Sequence, residues 1–167
     1  MRAIMMPYCD ISAADQKFAA DRMGINAFIA DGCDSVKKDV AMNGTPDLVV
    51  MDFSWLQILP YVQHAGLGTL ADTPHAMIHH PFNSADFSAY NRGGPLNVIA
   101  VIPPEDTHAP VVETPHLNRL MMVLDAFQRL KTAMPEDTTI DARLFAPLIQ
   151  RIMRTPGAGR AGLRCVA

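Results

Sequence analysis

The carboxylate with the clearest chemical context is Asp52, which ends the run 45–52 (TPDLVVMD). A Pro-Asp opening followed by a short apolar, β-branched run predicts a buried strand with Asp52 at its carboxyl end. In an open parallel sheet, ligands and reactive groups collect at that edge. An aspartate in this position can serve chemistry, or it can simply cap the following turn through the amides of Ser54 and Trp55. Both interpretations stay open at this point.

Histidines form the second group that could do chemistry. His75, His79 and His80 lie close together in the sequence, and His64 is not far upstream. The segment 75–79 predicts a strand, on which neighbouring side chains point to opposite faces. Because zinc needs three or four convergent ligands, we expect no metal site here. His80 alone would lie near Asp52 at the sheet edge, where it could pair with the carboxylate and respond to pH.

The cysteines and the apolar content indicate the cellular compartment in which the protein is expected. Cys9, Cys33 and Cys165 have no metal or redox spacing, and an odd number favours a reducing cytosol over a disulfide framework. The apolar start of the chain is too short for a signal peptide and is interrupted by Pro7, and no segment reaches membrane-spanning length. With 49% hydrophobic and 19% charged residues, we expect a globular, cytoplasmic protein with no membrane association.

Charge is distributed unevenly along the chain. Residues 1–139 carry nine basic and sixteen acidic side chains, a net charge of −7, whereas residues 140–167 carry five arginines and one aspartate, a net charge of +4. A basic tail can contact nucleic acid or an acidic partner, or it can fold back on the acidic body. We favour the last and expect no nucleic-acid role.

Strand and helix patterns alternate along the chain, and these elements would position Asp52 and the histidines. The predicted strands are 2–6, 25–30, the run that ends at Asp52, 75–79 and 96–102. The predicted helices are 13–23, one that runs from a cap at Asp34 or Ser35 to about residue 42, 55–65, 84–90 and 116–133. Ser12 caps the first helix, and Asp34 or Ser35 caps the second. Five such pairs predict an α/β fold with a doubly wound parallel sheet and helices on both faces.

The end of the chain is predicted to be an appendage. Pro135 and the acidic pair Glu136 and Asp137 break the chain after the last helix of the sheet domain, which gives a domain 1–134 and an extension 135–167. Apolar spacing predicts one more helix over 139–154, kinked at Pro147, before a Gly/Ala-rich basic tail. The extension either docks on the body or completes a dimer interface.

The run 46–52 (PDLVVMD) resembles the third strand of bacterial response-regulator receiver domains, in which it ends in the phospho-accepting aspartate. Together with the strand and helix order over about 1–133, the resemblance implies a flavodoxin-like (βα)5 fold with Asp52 as the phospho-acceptor candidate. The family's acidic pair at the end of the first strand is replaced here by Pro7 and Tyr8. Its lysine before proline at the end of the fifth strand is replaced by Ile102.

These departures predict a degenerate receiver, or pseudo-receiver, within two-component signalling. Without the acidic pair, Mg²⁺ has few oxygen ligands beside Asp52, and Asp10 is the nearest substitute. We therefore expect no enzymatic activity and no cofactor, with Mg²⁺ entering only if Asp52 is phosphorylated. The pocket at the sheet edge would be lined by the following residues: Tyr8, Asp10, Asp52, His80 and Pro103.

The resemblance implies a signal-transduction module that works by protein–protein interaction and that forms a homodimer. In receivers, the fourth and fifth strands and the helices that follow them carry the contacts. In this chain the apolar side of helix 116–133 is the expected interface: Leu117, Leu120, Met121 and Leu124. One alternative is an atypical response regulator phosphorylated on Asp52, with Asp10 or the pair Glu105 and Asp106 binding the metal. Another is a flavodoxin-like small-ligand-binding protein or enzyme.

Overall fold

The structure is a computed structural model, and it describes residues 1–7, 11–52, 70–78, 96–102, 115–141, 143–148 and 164–165. Six strands form one sheet: β1 (Arg2–Met6), β2 (Asn26–Ile29), β3 (Leu48–Asp52), β4 (His75–Ile78), β5 (Val98–Ile102) and β6 (Arg164–Cys165). Four helices are described with them: α1 (Ala13–Arg22), α2 (Cys33–Asn43), α3 (Pro115–Ala133) and the short α4 (143–148). The predicted helices 55–65 and 84–90 lie outside the described residues.

The sheet has the order β2-β1-β3-β4-β5-β6, and its first five strands are all parallel. The order 2-1-3-4-5 for the parallel strands is compatible with a flavodoxin-like arrangement. The sixth strand departs from that arrangement, because β6 pairs antiparallel with the outer edge of β5. The α/β architecture with a parallel sheet is therefore confirmed, and the edge strand is an addition that the sequence pattern did not predict.

Apolar side chains on both faces of the central strands explain why the sheet is covered twice. Met5 and Val50 lie in a buried cluster that includes residues of α1 and α3. Their neighbours Ile4 and Met51 lie in a second buried cluster that includes Val36 of α2. Adjacent strand residues thus belong to opposite layers, as a period of two requires. The described core is a three-layer α/β/α arrangement.

The start of α1 follows the prediction, and the start of α2 corrects it. The Ser12 hydroxyl accepts the N–H of Asp15 at 3.1 Å, so Ser12 is the expected N-cap. The second helix instead begins at Cys33 with Gly32 as N-cap. Ser35 lies inside the helix, where its hydroxyl accepts the N–H groups of Asp31 and Gly32 at 3.1 and 3.3 Å. The prediction of Asp34 or Ser35 as the N-cap was therefore wrong by two or three residues.

The chain after α3 packs on the body. Phe145 is fully buried, and its ring centroid lies 6.1 Å from that of Phe127 in α3. Asp141 precedes α4 and accepts the N–H groups of Arg143 and Leu144 at 2.9 and 3.1 Å, which starts the helix later than the predicted residue 139. The part of the predicted helix beyond 148 lies outside the described residues. Among the helices that are described, none is long and apolar enough to cross a membrane.

Candidate functional site at the carboxyl edge of the sheet

Asp52 occupies the central position that the sequence predicted. It is the last residue of β3, which lies between β1 and β4 in the sheet. In register, Asp52 is level with Ile78 of β4, and Met51 is level with Met6 of β1. Pro7, one residue beyond Met6, therefore continues the chain beside Asp52. The main chain places Asp52 at the carboxyl edge of the sheet, where open α/β folds bind ligands.

Apolar residues continue the edge on the side of β4 and β5. Ile78 is level with Ile102, and both side chains are fully buried. The row of register positions is therefore Pro7, Asp52, Ile78 and Ile102. Apart from Asp52 itself, none of these four offers an oxygen ligand on its side chain, and Mg²⁺ requires several oxygen ligands. Among the described residues, no group of three or more histidines, cysteines and carboxylates is placed to hold a metal ion.

The remaining predicted residues of the pocket are Tyr8, Asp10, His80 and Pro103, and all four lie outside the described residues. The same holds for His79 and for Glu105 and Asp106. Of the predicted pocket, the described part of the chain therefore shows only the main-chain position of Asp52. Sequence adjacency still ties Asp10 to the start of α1, because Ile11 and the capping Ser12 follow it directly.

A buried glutamine fixes the turn that leads into α1. The Gln16 side chain is fully buried, and its Nε2 donates to the carbonyl oxygen of Ile11 at 3.2 Å. Among the residues that the structure describes, its Oε1 has no hydrogen-bond partner, which costs free energy in a buried group. The hydrogen bond from Nε2 holds the chain at Ile11, one residue after Asp10 in the sequence. Sequence reasoning missed this residue, because a glutamine within a helix carries no distinctive signal.

His75 lies at the opposite end of its strand from the carboxyl edge. It is the first residue of β4, its side chain is fully buried, and its Nδ1 lies 2.6 Å from the carbonyl oxygen of Thr73. Because a carbonyl can only accept, Nδ1 carries the proton. Burial lowers the pKa of His75 to about 4, although hydrogen bonds to the carbonyls of Thr73 and Asn97 partly oppose this shift. His75 is a neutral core residue, not part of the edge.

The four predicted interface residues of α3 contact the protein's own core. Leu120 and Leu124 are fully buried in the cluster that also contains Phe127. Leu117 and Met121 are partly buried and pack against the same cluster. The apolar stripe that the sequence pattern detected is thus the intramolecular face of the helix. A contact between α3 and a partner would have to use its other side.

Two cavities lie at the amino edge of the sheet, away from Asp52. One has a volume of about 220 Å³ and the other about 490 Å³, and Asp47 and Lys131 line both. Asp47 accepts the backbone N–H of Arg2 at 2.8 Å, and its other oxygen lies 3.3 Å from Lys131 Nζ. These contacts tie the starts of β1 and β3 to the last turn of α3. This bridge was not predicted, because the Pro-Asp pair at 46–47 indicated only the start of a strand.

Cys33 is a free cysteine at the start of α2. Burial and the nearby carboxylate of Asp34 raise the pKa of the Cys33 thiol above its ordinary value. A raised pKa keeps the sulfur protonated and therefore less nucleophilic at neutral pH. Cys33 is a half-buried packing residue at the start of α2.

Comparisons with protein families, with curated proteins and with solved structures found no match to this chain.

Proposed function

We propose that this chain is a receiver-like regulatory module that acts by protein–protein interaction and is not phosphorylated in the ordinary Mg²⁺-dependent way. The observation that carries the proposal is the position of Asp52, which ends a PDLVVMD strand at the carboxyl edge between Pro7, the residue that follows β1, and Ile78 of β4. Asp52 ends the strand on which receivers carry their acceptor, and its register neighbours lack the groups that phosphoryl transfer requires.

The strand order of the sheet supports the proposal of a flavodoxin-like, receiver-like domain. Five parallel strands in the order 2-1-3-4-5 place β1 and β4 on either side of β3. In that order the chain reverses direction across the sheet between β1 and β3, which forms the crevice where such folds bind ligands. Asp52 ends one of the two strands that flank the crevice. This location is the one at which receivers present their phospho-accepting aspartate.

The chemistry of the edge argues against ordinary phosphorylation. A transferring phosphoryl group carries negative charge on its oxygens, and a bound metal ion normally neutralises that charge. A hard cation needs several oxygen ligands, but Pro7 follows β1 where the family has an acidic residue. Asp10 lies three residues further on and is the nearest carboxylate in the sequence. Metal affinity at Asp52 is therefore expected to be low.

Regulation without phosphorylation requires a surface for a partner. The buried apolar stripe of α3 is not available, so the outer stripe of that helix is the candidate. Its members recur at helical spacing: Asn118, Met122, Asp125 and Arg129. Asn118 and Arg129 are exposed, Met122 and Asp125 are half-buried, and Arg129 Nε lies 2.9 Å from Asp125. Partly apolar, partly charged surfaces of this kind suit a transient protein contact.

The decisive experiment is intact-mass measurement after incubation with acetyl phosphate and Mg²⁺. The wild-type protein is compared with Asp52→Ala, and circular dichroism verifies that both are folded. We expect no phosphoryl adduct on either protein. An adduct on the wild type alone would refute the unphosphorylated mode and establish the alternative, a response regulator phosphorylated on Asp52. Substitution of Asp10 would then test whether that carboxylate binds the metal.

A further inference from the structure

The outer edge of β5 is covered by only two described residues of the chain's own tail. Cys165 is level with Ala100, and Arg164 is level with Val101, in antiparallel orientation. β5 itself is an uninterrupted apolar run, Val98–Ile102, with no charge or proline within it. An unprotected apolar edge strand is a template for pairing with another strand. β6 therefore shows which kind of segment this edge accepts.

The connection to β6 is long enough to reach more than one site. Fifteen residues separate α4 from Arg164, and a chain of that length spans at most about 50 Å. This reach exceeds the radius of gyration of about 15 Å expected for a domain of this size. The length of the connection does not restrict β6 to the edge in its own copy.

Charge favours docking of the tail on this domain, whichever copy provides it. The net charge is +4 for residues 140–167 and −7 for residues 1–139. Opposite net charges attract at long range and steer association. The acidic body of one molecule is therefore complementary to the basic tail of another molecule, as well as to its own.

We propose that the outer edge of β5 is an interface between two copies of this chain, in which the C-terminal strands exchange reciprocally. Each β6 then pairs with β5 of the other copy, and the two-fold arrangement leaves neither edge uncovered. The exchange uses the same antiparallel pairing that the single chain makes. It does not depend on Asp52, so it stands or falls separately from the receiver-like function proposed above.

The protein concentration at which the exchanged dimer becomes detectable depends on the connection that tethers β6 to its own domain. A tethered strand experiences an effective concentration on the order of millimolar. The single-chain arrangement therefore dominates at micromolar protein, and the exchanged dimer grows in proportion as the protein concentration approaches about 1 mM. A dimer that persisted unchanged at micromolar concentration would require contacts beyond this strand pair.

A disulfide trap distinguishes the two arrangements. Directly paired residues of antiparallel strands have Cα atoms about 4.5–5.5 Å apart, a separation that a disulfide can bridge. Ala100→Cys places a second cysteine at the register position opposite the native Cys165. Mild oxidation should then give a monomer with an internal disulfide at about 5 µM protein, and a rising share of disulfide-linked dimer towards about 500 µM. Non-reducing electrophoresis and intact mass measure the two products.

Matched variants make the trap interpretable. The wild type and Ala100→Cys with Cys165→Ser retain the other cysteines and should show neither product. If Ala100→Cys fails to fold because Ala100 is fully buried, Val101→Cys with Arg164→Cys and Cys165→Ser traps the neighbouring register pair. A folded protein that gives no disulfide at either pair refutes the docked strand. A disulfide that remains internal up to about 500 µM refutes the exchange.

Discussion

Acidification should destabilise this protein through one buried histidine. His75 has a pKa of about 4 in the folded state, against 6.5 for the unperturbed group. Below pH 6.5 the unfolded chain binds a proton at this position that the folded protein does not bind. Stability therefore falls as the pH drops through the window between 6.5 and about 4, and it is fully retained above that window.

The expected size of the effect follows from the two pKa values. Each unit of difference corresponds to about 1.4 kcal/mol, so the complete loss is about 3 kcal/mol. At about pH 5 the loss should have reached about 2 kcal/mol, because the unfolded form is almost fully protonated and the folded form is not. Such a loss is a large part of the stability of an ordinary domain. His75 is fully buried, so solvent screening does not reduce the effect.

The assay is urea unfolding of the wild type and of His75→Asn between about pH 7.5 and pH 5. Asparagine does not titrate, and its side-chain N–H can replace the Nδ1 donor to Thr73. All other titrating groups are common to both proteins, so their contributions cancel in the difference. We expect the variant to gain about 2 kcal/mol relative to the wild type on going to about pH 5. Two parallel stability curves would refute the reasoning.

Three further changes test the contacts that organise the chain. Phe145→Ala should lower the free energy of unfolding by about 3 kcal/mol in urea titrations, because it empties a fully buried site beside Phe127. The control Leu144→Ala, at an exposed position of α4, should lower it little. Asp47→Asn should cost about 1 kcal/mol, since it weakens contacts to Lys131 and to the Arg2 amide that are partly screened by solvent, with the exposed Asp34→Asn as the control. The Arg143 guanidinium lowers the pKa of Asp141 below the ordinary value of 3.8, so the stabilising effect of that carboxylate should be lost only as the pH falls below 3.8. The free energy of unfolding of Asp141→Ala, measured against pH, should therefore differ from that of the wild type above this pH and approach it below.

The parallel strands were predictable because their residues carry the information locally. The apolar residues Leu48, Val49, Val50 and Met51 of β3 are buried, and so are Val98, Ile99, Ala100 and Ile102 of β5. Such buried apolar runs are typical of central parallel strands. The periodicity of Pro115–Ala133 likewise identified α3 to within one residue. The apolar stripe could not reveal whether it packs inside the molecule or against a partner. Burial of Leu120 and Leu124 supplies that answer.

The edge strand and the polar contacts could not be predicted, since they depend on distant parts of the chain. Arg164–Cys165 has no period to detect, and it becomes a strand because β5 offers an unpaired edge. For His75 the sequence argued only against a metal site, and its burial is decided by the residues packed around it. Asp47 forms its contacts to Arg2 and Lys131 across 45 and 84 positions of the chain, and local propensity carries no signal of such pairs.

The proposed interface at β5 lies two strands away from Asp52 in β3. Ile102 shares the row of Asp52, and β6 pairs with Ala100 and Val101 directly before it. With neighbouring strands about 4.8 Å apart, β3 and β6 are separated by about 14 Å. Asp52 makes no register pair with β6, so Asp52→Ala should leave the ratio of internal to intermolecular disulfide in the Ala100→Cys trap unchanged. A changed ratio at equal protein concentration would mean that the carboxyl edge controls strand exchange, which would contradict the independence of the two sites.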